Sequence, residues 1–281
     1  MGGRLYLRLL FRKGRFLLGF AVFIVILMIG LVGPIIYTKD PTSFDGPTES
    51  PPSLEYPLGT DTFGRDLMAQ LIHGVRTSLY IGVITALIAT SAGSLVGAVA
   101  GIKSGVIDEA LTSVTNIVLS IPSVLLAILV ASYFKVRSIE LVAFLLGITS
   151  WPWYARAIRA QIKSLRERDF VYLSRMAGYS DLKLVVEDIF PNIASYMLMA
   201  FVSYVNTGVV GEAALSILGL GPSRSVSLGI ILYWAASREA FRRGQWWWFI
   251  PPGVTIVGII SSLYAIATAV DEILNPKLRK E

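Results

Sequence analysis

Ser174-Arg175-Met176-Ala177-Gly178, followed by Ile189-Phe190-Pro191-Asn192, sits in a charged insert that runs from Arg156 to Pro191 between the uncharged runs Leu141 to Ala155 and Ile189 to Gly211. Within the insert, charges alternate with Ile158, Ile162, Leu165, Phe170, Leu173 and Met176, the spacing of helices with one apolar and one wet face. Gly178 supplies a stop, and Ser180-Asp181 a new start with either side chain as the cap. The segment therefore predicts helix, turn, helix. Residue types alone leave two roles open for it: a solvated hairpin on a membrane surface, or a docking element handed to a soluble partner.

The same contrast between greasy and charged runs organises the rest of the chain. Of 281 residues, 54% are hydrophobic and only 16% charged, with a mean hydropathy of +0.65, which a water-soluble domain of this size does not reach. Stretches without a charged residue extend from Phe16 to Tyr37, Thr77 to Ile102, Ala110 to Phe134, Leu141 to Ala155, Ile189 to Gly211 and Gly244 to Val270. A bilayer crossing takes ~20 residues of helix. The fourth run is shorter, but Glu140 and Arg156 can snorkel from its ends. The expectation is an all-α integral membrane protein of six transmembrane helices. Basic residues precede the first run, yet it is too long for a signal-peptide core of ~7 to 15 residues and lacks a small-residue cleavage site, so it reads as a retained anchor.

Lysine and arginine orient the spans. With both termini cytoplasmic, they number 5, 1, 7 and 3 in the cytoplasmic segments and 3, 2 and 4 in the external ones, as the positive-inside rule requires. The net charge of +6 thus reflects topology in a cell membrane rather than a nucleic-acid footprint. Two parts are expected: residues 1–76, an anchor helix with an extracytoplasmic loop, and residues 77–281, a five-helix core carrying the insert 156–191 and a scoop at 212–243.

The loop after the anchor contains Pro41, Pro47, Pro51, Pro52 and Pro57, which disfavour regular structure. Beyond them a turn capped by Asp or Thr introduces a short helix from Arg65 toward Gly74. Span two carries Ala89, Gly93, Gly97 and Gly101 at intervals of four, a face thin enough for another helix to approach closely, with packing inside the subunit favoured over packing against another. Ile121-Pro122 predicts a kink in span three. Glu212 to Pro222, followed by the apolar stretch Val226 to Ala236, is too short to cross twice and too apolar for a free loop, so a re-entrant or surface-lying scoop is expected. Trp246-Trp247-Trp248 opens the last span as an interfacial belt.

Chemistry is excluded more readily than assigned. Cysteine is absent and His73 is the single histidine, so neither disulfides nor a zinc site can be built, and no cofactor is expected. No Gly-Lys dipeptide exists, which rules out a Walker A phosphate loop, and neither a nucleophile elbow nor a His-Glu-x-x-His pair occurs. The six runs hold no carboxylate for intramembrane hydrolysis or for ion coupling. No catalytic residue is assigned, and an ion-coupled secondary transporter is the alternative to a driven one.

At the insert, the sequence resembles the membrane permease subunits of binding-protein-dependent ABC importers, in particular the second permease of the dipeptide, oligopeptide and nickel group. Tyr172-Leu173-Ser174-Arg175-Met176-Ala177-Gly178 stands where that family has Glu-Ala-Ala-x-x-x-Gly, with Tyr172, Leu173 and Ser174 replacing the triplet. Ser180-Asp181-Leu182 and Pro191-Asn192 follow as in the subgroup. Pro57-Leu58-Gly59-Thr60-Asp61 with Gly64-Arg65-Asp66, Glu212-Ala213-Ala214-Leu215-Ser216 with Leu218-Gly219-Leu220-Gly221, Trp246-Trp247, and Asp271 with Asn275-Pro276-Lys277-Leu278-Arg279 match independently and in order.

The resemblance implies a type I importer fold, with a second homologous permease beside this one, two ATPases below and an extracytoplasmic solute-binding protein above. It implies peptides or oligosaccharides as cargo. On it, a docking helix from about Leu173 to Asp181, through Ser174, Arg175, Met176, Ala177, Gly178, Tyr179 and Ser180 and closed by Pro191, would seat in an ATPase, with Arg175 pairing its carboxylates. The loop 38–76 and the scoop would meet the binding protein, where Arg238, Arg242 and Arg243 face its acidic patches. Asn206 and Thr207 are candidates for the translocation path between the two permeases, a helix-packing hydrogen bond being the equal alternative. His73 is a polar residue near the membrane surface.

Overall fold

Where no water is available, each backbone N–H and C=O has to be satisfied within its own segment, so the apolar runs fold as long helices. The computed structural model describes residues 10–274. Its longer helices are α1 (Gly14–Leu31), α2 (Leu67–Ile102), α3 (Val106–Leu119), α4 (Ser123–Ser132), α5 (Ile139–Leu165), α6 (Asp169–Met176), α7 (Ala194–Ile217), α8 (Leu228–Ser237) and α9 (Trp246–Leu274). Among the described residues no strand forms, only an isolated bridge between Thr60 and Asp66. Among the described residues five helices are long and apolar enough to cross a membrane, or six if the bent pair α3 and α4 is one broken span. The described residues are all-α, with the several long apolar helices of a multi-pass membrane protein.

Asp66 sets the start of α2. Its carboxylate accepts from the N–H of Met68 at 2.8 Å and of Ala69 at 3.1 Å, filling two of the donors a helix start leaves open. The helix then runs unbroken for 36 residues, about 54 Å at 1.5 Å per residue. The separate short helix expected from Arg65 toward Gly74 is therefore the first turns of this rod, because nothing between Gly74 and Thr77 breaks the hydrogen-bond ladder. Span four is likewise longer than the run Leu141 to Ala155: α5 continues through Arg156 to Leu165, its charges standing on a helical extension. Span three is a stronger break than a kink, α3 and α4 meeting at 74°. Pro122 removes a donor and its ring collides with the preceding turn.

The thin face of α2 packs within the subunit, against α5. A Cβ on Gly93 would stand 2.7 Å from the Tyr154 ring, and one on Gly97 would stand 2.6 Å from the Ala155 carbonyl oxygen. These helices lie closer than any side chain allows. α1 approaches α9 in the same way, where a Cβ on Gly19 would lie 2.7 Å from that of Ala265. Three apolar clusters follow: a main core of α1, α2, α7, α8 and α9; a second around Tyr154, Ile158, Ile162 and Val171; and a third joining α2, α4, α5 and α7.

Polar ties sort the helix ends. Lys13 pairs with Glu272, Lys103 with Asp181 at 2.8 Å, and the Ser195 hydroxyl donates to Asp271 at 2.5 Å. These contacts gather the start of α1, the ends of α2 and α9, and the start of α7 at the end that carries α6. The opposite end carries the 37–66 loop and α8. Two expectations there need correction. Glu212 to Ile217 remain in α7, so the scoop begins only at Leu218. Trp248 is buried in the main core with 1% of its surface exposed, leaving Trp246 as the exposed indole of the three, because α9 turns the third ring inward. The irregular backbone at 219–223 is held by Arg137, which donates to the carbonyls of Gly221 at 3.1 Å and Gly219 at 3.0 Å. The matched segment Asn275 to Arg279 lies outside the described residues.

Candidate functional site

α6 is eight residues long and is tied to the bundle by one face. Asp169 in its first turn suits the positive helix N-terminus, and Val171, fully buried, enters the cluster of Ile158, Ile162, Leu184 and Ile189. The other face is open: Tyr172 and Leu173 are exposed, and Met176 retains 86% of its accessible surface. Leu182 and Val186 continue this exposed apolar strip beyond the turn.

The turn is a Schellman motif. The Gly178 N–H donates to the Arg175 carbonyl at 2.9 Å and the Tyr179 N–H to that of Ser174 at 3.1 Å, with Gly178 at φ +86°. A Cβ there would meet nothing within 4 Å, so glycine is required by the backbone angle and not by a close approach. Ser180, rather than Asp181, caps the next turn by accepting from the Lys183 N–H at 3.3 Å. Asp181 instead faces Lys103 and, at 4.0 Å, Arg175. The helix expected from Leu173 to Asp181 is thus displaced: it spans Asp169–Met176, while Ala177, Gly178, Tyr179 and Ser180 form the bend. Lys183 covers the Tyr179 ring at 3.8 Å. A π-turn, Leu184–Ile189, then leads into the short helix Phe190–Asn192, with Pro191 at a position that needs no donor.

Asp108, absent from the sequence-based candidates, anchors the base of this assembly. It accepts from Arg159 at 2.5 and 2.9 Å and from Lys163 at 2.5 Å, joining the start of α3 to α5. Arg166 adds bonds to the Gly101 carbonyl and the Ser104 hydroxyl. The stalk that carries α6 is thereby clamped to the α2–α3 corner.

Between α3, α4, α5 and α7 lies a cleft of about 750 Å³, lined by Pro122, Ser150, Trp153, Tyr154, Tyr196, Ser203, Tyr204 and Thr207 among others and by no charged side chain. Thr207 is exposed to it, while its hydroxyl donates back to Ser203. Asn206 is not on the cleft. It is 5% exposed, with neither amide atom partnered by a described residue.

At the opposite end Asp61 is fully buried and accepts from the N–H groups of Phe63 and Arg65 and from the Arg65 guanidinium at 2.6 Å. This fixes Phe63 between Arg65 and Arg238, whose guanidinium lies 4.7 Å from the ring centre. Arg242 pairs with Glu239 and Arg243 with Glu49 at 2.6 Å. All three arginines remain exposed. In the same loop Asp40 is held below the usual carboxylate range by hydrogen bonds from the Thr42 hydroxyl and N–H. Below α8, Glu212 corrects the expectation that the spans hold no carboxylate: it lies within α7, fully buried, accepting from Ser216 at 2.5 Å, Ser227 at 2.6 Å and Ser78 at 3.2 Å. Those bonds pin the start of α8 onto α2 and α7. The carboxylate is thereby committed to structure, and it faces no open path.

Residues 93–280 match the family described as the inner membrane component of binding-protein-dependent transport systems. The oligopeptide transport system permease protein OppC of Mycobacterium tuberculosis is 32% identical over 246 residues, covering 86% of this chain and 83% of the relative. The di/tripeptide transport system permease protein DppC of Pseudomonas aeruginosa is 30% identical over 269 residues, 93% of this chain and 88% of the relative. The dipeptide transport system permease protein DppC of Haemophilus influenzae is 27% identical over 272 residues, 94% and 91% respectively.

Proposed function

The chain belongs to the inner-membrane components of binding-protein-dependent transport systems, as an ABC permease of the peptide family, and from that membership we propose that it is one of two homologous permeases in an ATP-driven importer of di- or oligopeptides. A solute-binding protein delivers the peptide at the α8 end, and two separate ATPase subunits drive the cycle at the α6 end. That end is cytoplasmic, with both termini. The observation that carries the reading is the exposed strip of Tyr172, Leu173 and Met176 on a short helix rooted by Val171. An apolar strip of this kind is stable in water only when a partner covers it.

Mechanically, closure of the ATPases on nucleotide displaces α6. The Gly178 bend and the Asp108 clamp convert that displacement into rocking of α2, α3 and α5 around the cleft. Arg175 sets register on the ATPase surface, Pro191 ends the coupling segment, and the cleft forms this subunit's share of the peptide path, with Thr207 on its wall and Asn206 supporting it from behind. Arg238, Arg242 and Arg243 meet the binding protein, the exposed pairs with Glu239 and Glu49 costing little to exchange.

The chain has no cysteine, so Met176→Cys introduces a unique thiol. It should resist a membrane-impermeant maleimide in intact cells, react in inverted vesicles stripped of the ATPase, and crosslink to the ATPase subunit in the assembled complex. Labelling from outside intact cells, or peptide uptake driven by an ion gradient without ATP, overturns the proposal.

A further inference from the structure

A second cleft of about 820 Å³ opens on the side of the bundle, between α1, α2, the start of α5 and the 224–226 segment. The coupling and transport reading makes no use of it. Its α2 wall is a single stripe, His73, Arg76, Thr77, Tyr80 and Val83, at the three- and four-residue intervals that align side chains on one helix face. From His73 to Val83 that stripe descends about 15 Å along the helix and passes from basic to apolar. Leu27 and Leu31 of α1 continue the apolar lining, and Arg224 lines the same cleft. Arg76 and Arg224 are both exposed, and neither forms a salt bridge or hydrogen bond with a described residue. Glu140 shares the lip, in the first turn of α5.

We infer that this groove binds an anionic phospholipid, its phosphodiester held between Arg76 and Arg224 and one acyl chain laid along Tyr80, Val83 and Leu27. Two guanidiniums against one carboxylate leave a positive mouth that complements a headgroup of charge −1, and phosphate is the anion that the arginine fork recognises best. The gradient from charge to hydrocarbon along one helix is that of the lipid itself, and it opens at the side of a membrane bundle where lipid is the solvent. A zwitterionic lipid offers the same chain, but its choline or ethanolamine cancels the attraction.

The test is native mass spectrometry of the whole purified importer, titrated with phosphatidylglycerol or with phosphatidylcholine of equal chain length. The expected result is a retained phosphatidylglycerol adduct with about tenfold preference over phosphatidylcholine. Arg76→Gln and Arg224→Gln should each weaken it by about tenfold, the range of one charge-assisted hydrogen bond, whereas Arg12→Gln, exposed just before the far end of α1, should leave it intact. Val83→Trp should block the floor and lower the occupancy of both lipids, a readout that leaves the arginines in place. Equal binding of the two lipids, unchanged binding in both arginine variants, or crosslinks from Val83→Cys to the partner permease instead of lipid would overturn the assignment.

Discussion

Replacing Gly178 separates the mechanical reading of the insert from a purely structural one, because the space around it is empty. A Cβ there meets no atom within 4 Å, so any effect arises from the backbone angle of +86°. For residues with a side chain, that region costs about 1 to 2 kcal/mol, with alanine near the lower figure and β-branched valine near the upper. Asparagine tolerates it far better. At 1.4 kcal/mol per tenfold, the ratio of turned to straightened chain at 178 falls about fivefold for Gly178→Ala and about thirtyfold for Gly178→Val. Gly178 itself belongs to none of the three apolar clusters, so membrane insertion and expression should stay at wild-type level. The assay is ATP-driven peptide uptake in proteoliposomes with nucleotide hydrolysis measured in parallel. Uptake should fall in the order Gly, Asn, Ala, Val, while basal hydrolysis persists. Wild-type uptake in Gly178→Val, or a loss that follows side-chain volume with asparagine below alanine, refutes the idea that this bend transmits force.

Two further perturbations address how force reaches the bundle. Asp108→Asn strips the charge shared by Arg159 and Lys163. It should lower stability by about 1.5 to 3 kcal/mol, seen as a lower thermal midpoint, and should raise hydrolysis relative to uptake; an unchanged midpoint denies the clamp. Gly97→Leu would thrust side-chain bulk at the Ala155 carbonyl and Ile158, an overpacking cost of about 1 to 3 kcal/mol or more, so the complex should lose yield in detergent, and normal yield would show that α2 and α5 are not in close contact.

The crossings were readable because lipid acts locally: a run of ~20 uncharged residues is selected for the bilayer whatever the rest of the chain does. The Pro122 break, the Gly178 stop and the Ser180 start were readable for the same reason, each being decided within one turn of backbone. Helix lengths were not. Charges at Arg156 and Arg76 bounded the uncharged runs, yet α5 and α2 pass through these positions, since a helix continues until its backbone ladder is broken rather than until the solvent changes. A resemblance drawn on ordered motifs pointed to a docking helix starting near Leu173, and the structure starts that helix four residues earlier, at Asp169.

What the amino-acid order determined on its own is therefore the class of molecule and the sites of its turns, both governed by interactions among near neighbours in the chain. Only the folded bundle could decide that Asp108 meets Arg159 across 51 positions, or that Glu212 meets Ser78 across 134. It also decided that Trp248 turns inward, and that Arg76 and Arg224 share one cleft. Such partnerships are set by which helix faces come together, and that choice is made by close packing of the whole bundle, which no stretch of sequence encodes by itself.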